Sequence, residues 1–317
     1  MNPIGGYFEL ELRKGLEFHR NAIRLNTGRN ALEYILRIRG YSKVFIPYYT
    51  CETILEPLNK LGIAYEFYSI NKELEPDFDY TRIQSNNGFL YTNYFGLKNN
   101  FISALSKIQE NLIIDNAQSF FSEPLKGVDT FYSARKFFGV PDGAYLYINT
   151  SNNIAIRDDH SENRFSHLLK RIEYGAEEGY PDFKLNDDRL IGQAIKNMSK
   201  ITQAVLCNIN YKYVIKKRKE NFNILNKHLS NINQLAFELG DETVPMIYPL
   251  LIDEINIKEI LIDKKIFVPT YWPNVLDWSQ ENSFEVNLTK AMIPLPLDQR
   301  YNKDDMKYII KIIYKTI

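Results

Sequence analysis

The first half of this chain alternates short apolar runs with stretches whose apolar residues recur at helical spacing. That rhythm limits the fold more than any other feature of the sequence. Runs at Lys43–Pro47, Ala64–Ile70, 88–94, 111–115 and 144–148 read as strands, and 30–39, 50–61 and 101–109 read as helices. Strand and helix in alternation predict an α/β fold: a mostly parallel central sheet with helices on both faces. In such sheets ligands bind beyond the carboxyl ends of the strands. After residue 149 the rhythm changes. Residues 151–188 are polar and punctuated by Gly175, Gly179 and Pro181, which predicts a long surface excursion. Two long helices are expected over 188–206 and Tyr211–Leu229. A strand within 244–252, a helix at Ile257–Asp263, a strand at 266–270 and a last helix over 303–315 complete a smaller α+β part. The division is placed near residue 205, giving a large domain over 1–205 and a small one over 206–317.

The 317 residues are 44% hydrophobic, enough for a sizeable core. Lys plus Arg number 39 and Asp plus Glu number 39, so no field of one sign exists to recruit nucleic acid or an anionic membrane. No apolar stretch approaches the roughly 20 residues of a membrane helix, and residues 1–12 lack the basic-then-apolar pattern of a secretion signal. Cys51 and Cys207 form no disulfide framework. His19, His160, His167 and His228 are scattered, with none paired at metal spacing, so no metal site is expected. These features predict a cytoplasmic protein.

Three segments carry candidate chemistry. Asp115 ends the apolar run Ile113-Ile114 and is followed by Gln118. Lys136 lies roughly twenty residues further on, in Phe131-Tyr132-Ser133-Ala134-Arg135-Lys136-Phe137-Phe138. Pyridoxal phosphate (PLP) needs such a pair. It takes an amine to hold its aldehyde as a Schiff base and a carboxylate to keep its pyridine nitrogen protonated. A lysine among so many apolar neighbours is expected to be buried, which favours the neutral, nucleophilic amine. The plainer readings are an Asp that caps the next element and a lysine that snorkels from a strand edge. The third segment, Thr27-Gly28-Arg29-Asn30, precedes a helix, where backbone N–H groups favour an anion such as a phosphate. Its plainer reading is a helix cap formed by Thr27 or Asn30.

The order of these elements resembles that of the DegT/DnrJ/EryC1/StrS group of PLP-dependent sugar aminotransferases, of fold type I. Thr27-Gly28-Arg29-Asn30-Ala31-Leu32 resembles the family's phosphate turn and helix start. Val44-Phe45-Ile46-Pro47-Tyr48-Tyr49-Thr50 resembles its strand-Pro-x-x-Thr step, and Phe89 to Gly96 its strand ending in an aromatic residue and glycine. Asp115 with Gln118 resembles the Asp-x-x-His/Gln motif, and Lys136 the Schiff-base lysine. Asn186, with Gln193-Ala194 after it, resembles a segment whose Asn reaches the phosphate of the neighbouring subunit's cofactor. Ile293-Pro294-Leu295-Pro296-Leu297 resembles the carboxyl-terminal signature.

The resemblance implies a homodimeric enzyme. It would move an amino group from an amino acid, glutamate by family, to a nucleotide-linked keto-sugar in surface-glycan or related biosynthesis. Lys136 and Asp115 are the implied catalytic pair. Gly28, Arg29, Asn30, Gln118, Ser133, Asn186 and Tyr94 are the implied cofactor-binding residues. The departures are specific. Cys51 stands where the family places an aromatic residue that stacks on the ring, leaving Tyr49 or Tyr94 for that role. Phe131 stands where the family places a phosphate-binding serine, leaving Ser133. Arg189 is out of register in Asn186-Asp187-Asp188-Arg189. A PLP-dependent sugar dehydratase and a non-catalytic relative that binds PLP or a nucleotide sugar are the alternatives; the lysine at 136 disfavours the dehydratase, where histidine is expected.

Overall fold

The computed structural model describes residues 4–253 and 256–317. In chain order the strands are β1 (Ile23–Leu25), β2 (Lys43–Pro47), β3 (Ala64–Ile70), β4 (Pro76–Asp77), β5 (Asn87–Thr92), β6 (Leu112–Asn116), β7 (Asp129–Ser133), β8 (Ala144–Tyr147), β9 (Arg157–Asp158), β10 (Lys196–Asn197), β11 (Tyr248–Leu251) and β12 (Met292–Leu295). The helices are α1 (Gly28–Arg39), α2 (Leu55–Leu61), α3 (Asn99–Leu105), α4 (Ser166–Glu173), α5 (Ala176–Arg189), α6 (Lys200–Cys207), α7 (Tyr211–Leu229), α8 (Ile257–Asp263), α9 (Val275–Trp278), α10 (Phe284–Ala291) and α11 (Lys303–Thr316).

Strands β1 to β10 form one sheet in the order β4-β3-β2-β5-β6-β7-β8-β1-β10-β9. Its centre, β3-β2-β5-β6-β7, is parallel. The chain runs outward from β2 to β3, then resumes at β5 on the other side of β2. Such reversals open a crevice at the carboxyl ends of the strands. All of β5 and β6 is buried, as expected for strands covered on both faces. One face packs against α1 and α2 through Leu32, Ile35, Val44, Ile46 and Leu90. The other carries an unusually aromatic core, with Phe45, Tyr49, Tyr91, Tyr94 and Phe120 all buried.

A second layer pairs β11 with β12 in antiparallel register, under α7, α8 and α11. Helix α11 begins with a capping box: Asn302 accepts the amides of Asp304 and Asp305, and Asp305 accepts that of Asn302 at 2.8 Å. Among the described residues no helix is long and apolar enough to cross a membrane.

Four expectations are corrected. β7 was missing from the sequence-derived strands because its pattern Asp129-Thr130-Phe131-Tyr132-Ser133 mixes polar and apolar residues. Asp129 is nonetheless buried, accepting Arg39 Nε at 2.7 Å and Arg39 Nη2 at 2.6 Å. The expected excursion over 151–188 contains the α4–α5 hairpin. Gly179, which reads as a breaker, is needed there, because a Cβ would stand 2.7 Å from the His167 carbonyl. The helix expected over 188–206 is instead the end of α5, a turn, β10 and then α6, which starts only where Ser199 accepts the Thr202 amide. Residues 266–270 form no strand.

Candidate active site

Asp115 lies in β6 at the carboxyl edge of the sheet, opposite Thr92 of β5 and Phe131 of β7. Its side chain is buried and accepts the Ala117 amide at 2.8 Å. Burial pushes its carboxyl up to about 6, while the Ala117 amide and the Lys136 charge pull it down. Lys136 closes a single 3-10 turn, Ala134–Lys136, at the exit of β7. Its side chain is exposed, not buried as its apolar neighbours suggested. Phe137 and Phe138 turn into the core, and the turn geometry leaves the lysine outside.

Gln118 follows one turn after Asp115. Its Oε1 accepts the Phe95 amide at 3.0 Å, and its Nε2 is buried without a hydrogen-bond partner among the described residues. Thr92 Oγ1 and the Tyr49 hydroxyl are orphaned in the same way. Phe95 is held in the left-handed region (φ 59°), and Gly96 after it has φ 76°. A Cβ at Gly96 would meet the Val244 carbonyl at 2.9 Å, so only glycine fits. This bent exit from β5 brings the chain against Gln118 and the second layer. Backbone strain of this kind is typical of ligand sites.

The start of α1 reaches the same edge. A Cβ on Gly28 would stand 3.8 Å from the Phe131 ring, in β7 beside Asp115. Thr27 caps the helix, accepting the Asn30 amide at 3.1 Å, so the plainer reading of this segment holds for its side chains. Gly28 is the first helical residue and has no positive φ. The amides of Gly28 and Arg29 have no partner among the described residues. Two free N–H groups at the positive end of a helix form an anion cradle.

Several implied residues are otherwise engaged. Asn30 is buried, its Oδ1 on the Thr27 hydroxyl and its Nδ2 on the Gln193 carbonyl at 2.9 Å. The Arg29 guanidinium pairs with Glu56 at 2.7 Å. Tyr94 is fully buried and donates to the Tyr49 carbonyl at 2.9 Å, which fixes its ring in the core. Asn186 is buried in α5, donates from Nδ2 to the Pro141 carbonyl at 2.9 Å and keeps its Oδ1 without a partner among the described residues. Ser133 is half-buried at the end of β7 and caps nothing. Cys51 is half-buried and receives the Thr53 hydroxyl at 3.3 Å.

Sequence reasoning gave Asp142 no role. It is fully buried and accepts Ser199 N at 2.9 Å, Ser199 Oγ at 2.7 Å and Thr202 Oγ1 at 2.6 Å. Its neighbour Gly143 donates to the Asn26 carbonyl and accepts the Ala134 amide at 3.0 Å. This one dipeptide thus ties together α6, the approach to α1 and the lysine turn.

Solved structures share this architecture. A sugar aminotransferase described as putative, Spr1654 from Streptococcus pneumoniae, matches in its PLP form with a TM-score of 0.66 and 16% identity, over 93% of this chain and 88% of that one. Its PMP form matches with a TM-score of 0.65. A DegT DnrJ EryC1 StrS aminotransferase from Brucella abortus matches with a TM-score of 0.60 and 16% identity, over 93% and 85% of the two chains. DesI, solved in the presence of its TDP-sugar product, matches with a TM-score of 0.64 and 13% identity, over 92% and 79%. The chain has the fold of the sugar aminotransferases. No family model matches the sequence. No curated protein matches it by sequence either.

Proposed function

We propose that this protein is a PLP-dependent aminotransferase that moves an amino group from an amino acid, by resemblance glutamate, to a keto-sugar carried on a nucleotide. One observation carries the reading: a buried carboxylate at the end of β6 on the sheet's carboxyl edge, with a lysine in the turn at the exit of β7, the strand paired beside it. The fold shared with enzymes solved in PLP and PMP forms, and with one solved beside a TDP-sugar, supports it.

The residues present fit the cofactor. Gln118 Nε2 is a buried donor in need of an acceptor, and the Gly28 and Arg29 amides are two more at a helix start. When bound, PLP supplies an aldehyde that takes up an amino group and a ring that accepts electrons. Asp115 would face the ring nitrogen and hold its proton, and that positive partner would draw the carboxyl down from about 6. Gln118 would donate to the ring oxygen. The Gly28 and Arg29 amides and the Ser133 hydroxyl would hold the phosphate. Asn30 shapes that cradle without touching it, and Tyr94 and Asn186 brace its surroundings. Lys136 Nζ would hold the cofactor and, once released, take the proton from the donor's α-carbon as a general base and return it as a general acid. Over the full cycle the donor's CH–NH2 becomes C=O and the sugar's C=O becomes CH–NH2.

Part of this reading concerns organisation. It places cofactor binding in residues 1–205, closes the cleft with 206–317, and has the enzyme work as a cytoplasmic homodimer. Cys51, where a stacking ring is expected, favours one rival reading, a cofactor-binding relative without turnover. The test is a purified sample given PLP and then glutamate. The aminotransferase reading expects a visible absorption band, trapped on Lys136 by borohydride, that glutamate bleaches with release of the 2-oxo acid. A persistent band with no bleaching by any amino acid favours the binder. A sugar product that loses water and gains no nitrogen identifies a dehydratase.

A further inference from the structure

Two unpartnered apolar features of this chain match one another. The first is the segment 4–12, Ile4-Gly5-Gly6-Tyr7-Phe8-Glu9-Leu10-Glu11-Leu12. It has no helix or strand and bends at Gly5–Tyr7, with Tyr7 99% and Phe8 91% exposed. It leaves the fold where the Arg13 amide meets Asn208 Oδ1 at 3.0 Å. Pulled straight, nine residues span at most about 30 Å.

The second is a groove of about 800 Å³ between the α4–α5 hairpin and the second layer. Tyr180 on one wall and Ile262, Phe267 and Tyr308 on the other are large side chains left 41–58% exposed. Clustered exposure of this kind marks an interaction surface. Of the groove's charged lining, Lys265 pairs with Glu177 and Arg300 with Asp298, which leaves Arg171 and Lys264 without an acidic partner among the described residues, against Asp305. The segment 4–12 carries Glu9 and Glu11 and no cation. Apolar side chains with interleaved acids therefore face apolar walls with surplus bases. Within its own protomer residues 4–11 are exposed and only Leu12 is half-buried.

Resting on the dimeric reading above, we propose that the segment 4–12 of one copy seats in this groove of a second copy. The groove adjoins the candidate site through both of its walls. Helix α5 is fixed to the lysine loop by the Asp187–Arg135 ion pair and by Asn186 on the Pro141 carbonyl. The second layer is fixed to it by Gln299 Nε2 on the Phe137 carbonyl at 3.0 Å. An arm in the groove bridges the two elements that frame the Lys136 turn.

The test is a photo-crosslinking residue at position 8 of the full chain, in a mixture of isotopically light and heavy protein. Seating in trans expects light–heavy adducts on Ile262, Phe267 or Tyr308. Adducts confined to one isotope indicate a strap on its own protomer and overturn the proposal, as do adducts elsewhere or none from a protein that is dimeric. Light scattering on the unmodified chain separates the two failures: a monomer at micromolar concentration defeats the dimer reading itself. A second measurement uses the double variant Tyr7→Ser, Phe8→Ser, whose changes lie outside the folded core. Its dimer dissociation constant is expected to rise at least tenfold with unchanged circular dichroism, and an unaltered constant overturns the proposal.

Discussion

The carboxyl edge of the large sheet and the second layer treat buried polar groups in opposite ways. In the second layer they are paired. Asn221 Nδ2 donates to the Leu297 carbonyl at 3.0 Å, Asn233 Oδ1 accepts the Leu251 amide at 2.9 Å, and fully buried Arg218 holds the Pro245 and Met246 carbonyls. At the sheet edge and in the hairpin beside it, Tyr49, Thr92, Gln118, Arg135 and Asn186 each keep a buried polar atom without a partner among the described residues. An unpaired buried polar atom costs about 1–3 kcal/mol. A fold that keeps several at one place and satisfies them in another marks the first as a place completed from outside.

Substitutions at the two places should separate activity from stability. Lys136→Ala is expected to reduce amino transfer at least about a thousandfold, the scale of a lost acid–base and covalent group. Since the side chain is exposed, its unfolding free energy should change by no more than about 0.5 kcal/mol. Stopped-flow turnover and thermal melts check the two halves, and retained turnover would end the catalytic reading. Leu250→Ala, in the fully buried centre of β11, should do the reverse. It is expected to cost about 2–5 kcal/mol in denaturant unfolding while PLP binding per folded molecule is unchanged.

Asp115→Asn tests the boundary between the two behaviours. In the cofactor-free protein burial pushes the folded carboxyl up to about 6, from an ordinary value of 3.8 in the unfolded chain. The folded state binds more protons in that window, so this group lowers stability as pH rises from 3.8 through 6. The variant keeps an oxygen for the Ala117 amide and loses that slope. At pH 8 it should be more stable than the parent by about 3 kcal/mol at most, with the advantage vanishing near pH 4. It should also bind PLP more weakly. Parent and variant melts across pH, without and with PLP, measure this, and a parent more stable than the variant at pH 8 would contradict the burial argument. The smallest effect belongs to the second layer. Asn302→Ala removes the cap of α11 and should cost about 1 kcal/mol, with no change in cofactor affinity.

The parallel core was legible in the sequence because buried strands are apolar throughout. β2 and β3 were read to the residue, and α7 and α8 followed from their spacing. β7 was not, because the partner that lets Asp129 enter the core is Arg39, ninety positions away. The α4–α5 hairpin was hidden by Gly179 and Pro181, which locally look like breakers. One is a close-contact residue, and the other sits inside α5.

The site divides along the same line. Sequence alone determined which chemical groups are available at the sheet edge: an acid and an amide at the end of β6, an amine after β7, and a glycine opening α1. Residue type and strand position are local properties. Only the tertiary structure decided which of these are free to act. It committed Asn30, Arg29, Tyr94 and Asn186 to neighbours far along the chain, left Gln118 Nε2 orphaned and Lys136 exposed, and made Asp142 with Gly143 the junction of three elements. Hydrogen-bond partners distant in sequence carry no local signature, and they decide whether a polar side chain is occupied or available.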